Sequence, residues 1–128
     1  MIEVAIGLGV DLVYIPRVQK LCELYGDRFL TKVFTEEELA YAQKRLIPYP
    51  HLACSFAVKE AFYKALGGYS PFRFKEISLI RTQKGPFVKL SGRAKEVFEE
   101  VGGQKILLSL SHDFNYTIAV VLITKVKD

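Results

Sequence analysis

Hydrophobic and polar residues alternate with two different periods along the chain. Residues 3–10 are mostly apolar and partly β-branched, which predicts a strand that ends at Asp11. Pro16 then suits the first turn of a helix, because an N–H group would have no helical partner there. The apolar positions that follow recur every three to four residues and predict one helical stripe: Val18, Leu21, Cys22 and Tyr25.

Three more helices are predicted before the middle of the chain. Asp27 is placed to cap a short helix, and Thr35 with Glu38 forms a capping-box pattern at the start of the next helix, which should end near Arg45. The longest helix is predicted at 51–66 and ends at a pair of glycines, because glycine readily adopts the left-handed conformation that closes a helix.

Strand patterns dominate the second half. They are predicted at 74–82, 87–90, 106–111 and 116–126, the first two joined as a hairpin, with a helix capped by Ser91 between the pairs. Most of the connections are too short for parallel crossovers. We therefore expect one α+β domain, residues 1–128, with a mainly antiparallel sheet packed against a long central helix and shorter helices.

Composition narrows the class of protein without choosing a function. The chain has 128 residues, of which 50% are hydrophobic and 25% charged, a typical globular balance, and a net charge of +4 that suits an anionic partner. Cys22 and Cys54 lack metal-ligand spacing and are expected to be reduced. The first residues do not resemble a signal peptide and no apolar run could span a bilayer, so we expect a soluble, cytoplasmic protein without a membrane partner.

The long helix carries charges where its pattern predicts near-complete burial. Glu60 and Lys64 are four residues apart and therefore lie on one face. They can form an ordinary solvated ion pair, or a carboxylate and an ammonium group at a ligand pocket, since buried charges need partners. The sequence alone leaves both interpretations open.

Asp11 has two interpretations. As a structural residue, it would accept hydrogen bonds from backbone N–H groups at the start of the helix that contains Pro16. As a functional residue, it would supply oxygen to a hard cation, because Mg²⁺ takes one or two carboxylates together with water and substrate phosphate. Asp11 and Glu60 would suffice for such a site if the fold brings them together.

A third cluster of polar residues, 109–113, stands where a predicted strand reaches a turn. His112 can be an ordinary surface or structural histidine, or it can contact a phosphate or carry a proton. The other histidine, His51, opens the long helix, and we assign it no chemistry.

Three segments together resemble the holo-acyl-carrier-protein synthases, the stand-alone type of 4′-phosphopantetheinyl transferase. Gly9-Val10-Asp11, followed by Arg17, resembles the first motif of this family. Residues 56–67, with the sequence FAVKEAFYKALG, resemble its signature helix, and residues 109–113, with the sequence SLSHD, resemble its third motif. Order, spacing and chain length agree, so the similarity spans nearly the whole chain.

This resemblance implies an enzyme that transfers phosphopantetheine from coenzyme A to a serine of an acyl carrier protein, in support of fatty acid biosynthesis. It implies that Asp11 and Glu60 bind Mg²⁺ and that Lys64 neutralises the pyrophosphate of the coenzyme. The proton of the serine hydroxyl would pass to Glu60 or to His112, which the sequence does not separate.

The resemblance also implies the binding surfaces. The 3′-phosphate of coenzyme A would contact Lys44 and Arg45, and the coenzyme would be bordered by Gly85, Pro86, Ser111 and His112. The acidic helix of the carrier protein would face Arg17, Lys20 and Arg28. Family members form homotrimers, with active sites shared between neighbouring subunits.

The chain departs from the family pattern at several positions. Ser55 stands where the family commonly has an arginine, so one basic contact is missing or is supplied elsewhere. Lys84-Gly85-Pro86 replaces the more usual Gly-x-Pro order, and residues 116–118 are bulkier than is common. These differences concern the coenzyme site and leave the proposed metal ligands unchanged.

Two other functions fit parts of the sequence. One is a transferase that serves a polyketide or peptide synthase, although such enzymes often contain two fused halves. The other is a nucleotide- or RNA-binding module, which the basic charge allows but which would not need Asp11, Glu60 and Lys64 together. No nucleic-acid partner is therefore expected.

Overall fold

The computed structural model describes residues 1–68 and 71–128, and its elements alternate as an α+β chain. They are β1 (Ile2–Tyr14), α1 (Ile15–Tyr25), α2 (Asp27–Val33), α3 (Glu36–Gln43), α4 (Tyr49–Ala65), a 3₁₀ turn (Phe74–Glu76), β2 (Ile77–Thr82), β3 (Gly85–Leu90), α5 (Gly92–Glu100), β4 (Lys105–Asp113) and β5 (Tyr116–Lys127). In this part of the chain, no helix is long and apolar enough to cross a membrane.

The strands form two antiparallel sheets, which confirms the predicted fold class. One sheet has the order β1-β5-β4, and β2 pairs with β3 as the predicted hairpin. The first strand does not end at Asp11, because Leu12 and Val13 continue the alternation and pairing with β5 extends to Tyr14. Asp11 is therefore a residue within the strand, paired with Ala119.

The long helix α4 lies directly on the backbone of β1. A Cβ atom added at Gly9 would overlap the carbonyl oxygen of Ala61, and one at Gly7 would overlap that of Ala65. Only glycine allows so close an approach of helix and strand. One consequence is that residues of α4 next to Ala61 are held beside the segment of β1 that follows Gly9.

Of the three predicted helix caps, one is confirmed and two differ, and α4 begins at Tyr49, two residues before its predicted start. Thr35 and Glu38 form the capping box at the start of α3, with both reciprocal hydrogen bonds present. Asp27 is the first residue of α2 and not its cap, which is Gly26. Ser91 occupies the cap position of α5, but its side chain makes no capping hydrogen bond. The Glu76 carboxylate takes that role, because it accepts a hydrogen bond from the N–H of Arg93 in the first turn of α5.

The strand predicted at 74–82 begins three residues later, because a buried lysine organises the segment before it. Lys59 Nζ donates hydrogen bonds to the carbonyl oxygens of Phe74 and Ile77 and lies 2.6 Å from Glu38 Oε1. These contacts hold residues 74–76 in the 3₁₀ turn and fix β2 against α4. The Lys59–Glu38 pair is fully buried.

The core lies between the three-stranded sheet and α4, and between α4 and β2. Its fully buried large side chains are Phe34, Phe62, Ile77 and Ile123, with Val13, Val18, Val58 and Val121. Cys22 and Cys54 are free and half-buried, and burial raises the pKa of the Cys22 thiol. They pack as small hydrophobic residues beside this core.

Candidate active site

The closest helix–strand contact brings three of the predicted site residues together. Lys64 Nζ lies 3.0 Å from Asp11 Oδ1 and donates to the Val10 carbonyl oxygen at 3.1 Å. Glu60 precedes Lys64 by one helical turn and is close enough to Asp11 for the two carboxylates to interact electrostatically. We refer to Asp11, Glu60 and Lys64 as the acidic corner.

The electrostatics of the acidic corner favour an added positive charge. Partial burial raises the pKa of Glu60, the neighbouring Asp11 carboxylate raises it further, and Lys64 only partly offsets both effects. Two close carboxylates facing one ammonium group gain from another cation, since like charges disfavour ionisation and opposite charges favour it.

Two purely structural roles considered from the sequence were wrong: Asp11 as a helix cap, and Glu60 with Lys64 as a solvated ion pair. Asp11 does not cap α1, because α1 starts after Tyr14 without a side-chain cap and Asp11 lies three residues earlier in β1. Within residues 1–68 and 71–128, the ion pair of Lys64 is made with Asp11 and not with Glu60. The ammonium group of Lys64 is therefore directed at β1.

The donors of the acidic corner suit Mg²⁺ better than a softer metal. Both acidic members of the corner offer carboxylate oxygens, the hard donors that hard cations prefer, and among the described residues no group of three or more His, Cys, Asp or Glu side chains could hold a metal. Mg²⁺ commonly uses one or two carboxylates and completes its octahedron with water and substrate phosphates. Asp11 and Glu60 match that pattern.

A second cluster gathers basic side chains at the other end of α4. The guanidinium carbons of Arg45 and Arg81 lie over the Tyr41 ring, 4.0 and 4.4 Å from its centroid, and the His51 ring packs edge-on to Tyr41 at 5.4 Å. His112 on β4 is near enough for its charge to act on His51. We refer to Arg45, Arg81, His51 and His112, with Tyr41, as the basic cluster.

Three members of the basic cluster were missed by sequence reasoning. Tyr41 and Arg81 lie 40 residues apart in sequence, and His51 was assigned no chemistry. The spacing of Tyr41 and Arg45 by four residues was the one available signal, since it places the two side chains on the same side of a helix end. Arg81 lies on β2, far along the chain from α3, so no local sequence pattern could link it to Tyr41 and Arg45.

The remaining residues expected near the coenzyme are distributed around this cluster. Lys44 is exposed at the end of α3, next to Arg45. Pro86 is the strand partner of Arg81 in the β2–β3 hairpin, and Gly85 precedes it. Ser111 precedes His112 on β4 and is exposed, and because successive strand residues point to opposite faces, its side chain leaves the sheet on the other side.

Within one chain, the acidic corner and the basic cluster lie at opposite edges of the three-stranded sheet. Asp11 belongs to β1 and His112 to β4, which are the two edge strands of the sheet. His51 and Glu60 are nine residues apart on α4 and therefore point to opposite sides of the helix, since a turn contains 3.6 residues. Within one chain, Glu60 therefore lies apart from Arg45, Arg81 and His51 of the basic cluster.

The residues expected to meet a carrier protein are accessible. Arg17 and Lys20 are exposed on α1, and Arg28 is exposed on α2. Among the described residues, none of the three forms an ion pair. Leu24 lies seven residues after Arg17, on the same side of α1, and is 63% exposed, so this side combines positive charge with an accessible apolar residue.

Comparisons with known proteins show similarity to one family. A model of the 4′-phosphopantetheinyl transferase superfamily matches residues 7–121. The holo-acyl-carrier-protein synthase of Thermodesulfovibrio yellowstonii is 42% identical over 119 residues, which are 92% of this chain and 97% of that protein. The synthase of Chlamydia trachomatis serovar D is 40% identical over 118 residues, which are 91% of this chain and 97% of that protein.

Solved structures show the same fold. The holo-acyl-carrier-protein synthase of Neisseria meningitidis is similar with a TM-score of 0.86 at 29% identity, covering 94% of this chain and 98% of the other. The Chronobacterium ammoniagenes synthase, solved as a complex with coenzyme A, has a TM-score of 0.81 at 32% identity, covering 99% and 100%.

Proposed function

The chain belongs to the 4′-phosphopantetheinyl transferase superfamily, and from that membership we propose that it transfers phosphopantetheine from coenzyme A to a serine of an apo acyl carrier protein. The observation that carries this proposal is the acidic corner, where Asp11, Glu60 and Lys64 meet around the closest contact of α4 with β1. The relatives are named for this activity, and one similar structure holds coenzyme A.

The reaction needs charge neutralisation and alignment. The serine oxygen forms a bond to the phosphorus that bears the pantetheine arm, the bond from phosphorus to the bridging oxygen breaks, and adenosine 3′,5′-bisphosphate leaves. Lys64 would bind the pyrophosphate oxygens, and Asp11 and Glu60 would hold Mg²⁺, which would stabilise the negative charge on the same oxygens. These residues orient the phosphate at the corner of β1 and α4.

We propose Glu60 as the group that accepts the serine proton, directly or through a water molecule. Glu60 lies one helical turn from Lys64 and beside Asp11, so it is next to the position where the phosphate and the attacking hydroxyl would meet. His112 belongs to the basic cluster at the other edge of the sheet. That position favours contact with the coenzyme, beside Lys44 and Arg45 at the 3′-phosphate.

We propose that the active unit is a homotrimer whose sites form between subunits. The separation of the acidic corner from the basic cluster within one chain supports this arrangement, because a neighbouring subunit can supply the missing half. The outer face of the three-stranded sheet gives further support. Its β1 residues Leu8, Val10, Leu12 and Tyr14 are between 41% and 67% exposed, and an apolar face of this kind usually meets another protein surface.

We propose that the carrier protein docks on the side of α1 that presents Arg17, Lys20 and Leu24, with Arg28 nearby. Acyl carrier proteins that support fatty acid biosynthesis would bring an acidic helix to these positive charges. Charge complementarity of this kind raises the association rate and selects the partner. A carrier from a polyketide or peptide synthase remains the second candidate substrate.

The test is mass spectrometry of an apo acyl carrier protein incubated with the chain, coenzyme A and Mg²⁺. We expect a gain of one phosphopantetheine on the carrier serine, and loss of the gain with EDTA or with Glu60→Gln. Glu99→Gln, an exposed glutamate on α5, is the matched control and should keep wild-type activity. Absence of modification with carriers of both classes would contradict the proposal.

A further inference from the structure

Two guanidinium groups from distant parts of the chain share one aromatic ring. Arg45 follows α3 and Arg81 lies in β2, yet their guanidinium carbons are 4.0 and 4.4 Å from the centroid of the Tyr41 ring. Both contacts are cation–π interactions, which fix the orientation of a planar guanidinium group. The Tyr41 ring is thus a shared support for two positive charges that come from the segment after α3 and from β2.

Arg81 is held in place by a second contact. Its Nη2 atom donates to the carbonyl oxygen of His51 at 3.1 Å, in the first turn of α4. Ser55 is four residues further along and is buried, and a helical serine commonly donates to that same carbonyl. The Ser55 hydroxyl makes no hydrogen bond with the part of the chain that the structure describes. Arg81 therefore donates to the His51 carbonyl oxygen, to which the Ser55 hydroxyl makes no hydrogen bond.

Apart from Tyr41, the ionisable groups of the basic cluster are arginines and histidines. Among residues 1–68 and 71–128, neither Arg45 nor Arg81 forms an ion pair. Burial lowers the pKa of His51, and the charges of Arg81, Arg45 and His112 lower it further. An anion placed beside several neighbouring cations gains a favourable interaction with each of them.

We propose that Arg81 is a specificity-determining residue that, with Arg45, clamps a phosphate monoester. This inference rests on the proposed function and identifies the phosphate as the 3′-phosphate of coenzyme A. A guanidinium group presents paired N–H donors that match phosphate oxygens, and two such groups on one ring suit a dianion. Arg81 supplies from β2 the guanidinium group that Ser55 cannot supply from α4.

Calorimetric titration with nucleotides tests the clamp without requiring transfer. The full chain is titrated with adenosine 3′,5′-bisphosphate and with adenosine 5′-monophosphate, which lacks the 3′-phosphate. We expect wild type to prefer the bisphosphate. Arg81→Met should weaken bisphosphate binding by roughly ten- to a hundredfold, as for a charge-assisted hydrogen bond, and leave the monophosphate affinity unchanged. Arg81→Lys should restore part of the loss.

Arg93→Met removes an exposed guanidinium group from α5 and should bind both nucleotides as wild type does. Equal weakening of both nucleotides by Arg81→Met would assign Arg81 to the hairpin structure alone and overturn the clamp, as would no weakening at all. A melting curve of each variant establishes that it is folded.

A parallel transfer assay separates this inference from the proposed function. Wild type and Arg81→Met are compared with coenzyme A and with 3′-dephospho-coenzyme A as donors. We expect a higher KM for coenzyme A in the variant and little change for the dephospho donor. If wild type transfers neither donor but still prefers the bisphosphate through Arg81, the proposed function fails and the clamp stands.

Discussion

At the acidic corner, the surroundings of Glu60 raise the pKa of its carboxyl group above the ordinary value. A carboxyl group with a raised pKa binds its proton more tightly in the folded than in the unfolded state. The ionised form of Glu60 therefore destabilises the fold above its folded pKa, and this cost disappears as the pH falls below the unfolded value. The direction follows from burial and from Asp11.

We predict that Glu60→Gln raises the melting temperature in metal-free buffer at pH 8 and that the difference shrinks towards pH 4. With Mg²⁺ the order should reverse, because binding to the folded state stabilises wild type and not the variant. Thermal melts at both pH values, with EDTA and with millimolar Mg²⁺, measure this. Equal shifts by Mg²⁺ in both proteins would remove Glu60 from the metal site.

Single residues were predictable where their partners are close in sequence. Thr35 and Glu38 are three residues apart, and their capping box was confirmed. The contact of Asp11 with Lys64 spans more than 50 residues and depends on how α4 packs against β1. Local patterns could only assign both residues to a motif, and the resemblance to a family, rather than the spacing, suggested that they meet.

At the scale of elements, the buried pair of Lys59 and Glu38 joins α4, α3 and β2. Lys59 reaches Glu38 and two carbonyl oxygens, and Glu38 Oε2 accepts from the N–H of Leu79. Burial lowers the pKa of Lys59, and Glu38 opposes that effect. Removing one member leaves the other charge buried without a partner, which is more costly than removing both.

We predict that Lys59→Met lowers the free energy of unfolding by about 3–5 kcal/mol. Lys59→Met combined with Glu38→Gln should lose less, because no uncompensated charge remains. The control is Lys89→Met, which removes an exposed pair with Glu37 and should cost less than about 1 kcal/mol. Urea titration measures all three, and a Lys59→Met loss equal to that of the control would contradict the argument.

Gly9 sets the distance between α4 and β1. We predict that Gly9→Ala forces the helix away from the strand, with a loss of roughly 1–3 kcal/mol in stability and a weaker response of the melting temperature to Mg²⁺. Gly7→Ala is the matched variant, since it crowds Ala65 one turn further from Glu60. It should destabilise the fold and retain more of the Mg²⁺ response. Identical Mg²⁺ responses would show that this packing does not position the acidic corner.

The elements themselves were largely predictable because their periods are strong, and their limits were not. The predicted strand at 74–82 lost its first three residues to a 3₁₀ turn that depends on Lys59, a residue from another element. The first strand gained three residues through pairing with β5. Tertiary contacts decided both boundaries, and neither contact has a local sequence signal.

At the scale of the whole molecule, the outer face of the three-stranded sheet has the character of an interface. We predict that Leu8→Glu or Leu12→Glu converts a trimer into monomers and abolishes transfer, because a buried charge would oppose association. Light scattering after gel filtration measures the mass. Val101→Glu, at an exposed residue after α5, is the control and should leave the assembly intact. Monomers in the wild-type sample would exclude the trimer.

The separation of the acidic corner and the basic cluster within one chain leads to a complementation experiment. Glu60→Gln damages the corner, and Arg45→Met with Arg81→Met damages the cluster, so each variant alone should transfer little at low coenzyme A. If a site combines the corner of one subunit with the cluster of the next, mixed trimers contain intact sites. Random mixing at equal amounts gives about one intact site in four.

We therefore predict that co-refolding the two variants restores roughly a quarter of the wild-type rate, whereas adding them together as preformed trimers restores little until subunits exchange. Recovery measures the sharing of residues between chains, because a site built within one chain would carry a damaged half in every subunit. Co-refolded mixtures that remain as inactive as the separate variants would place corner and cluster of the same chain in one site.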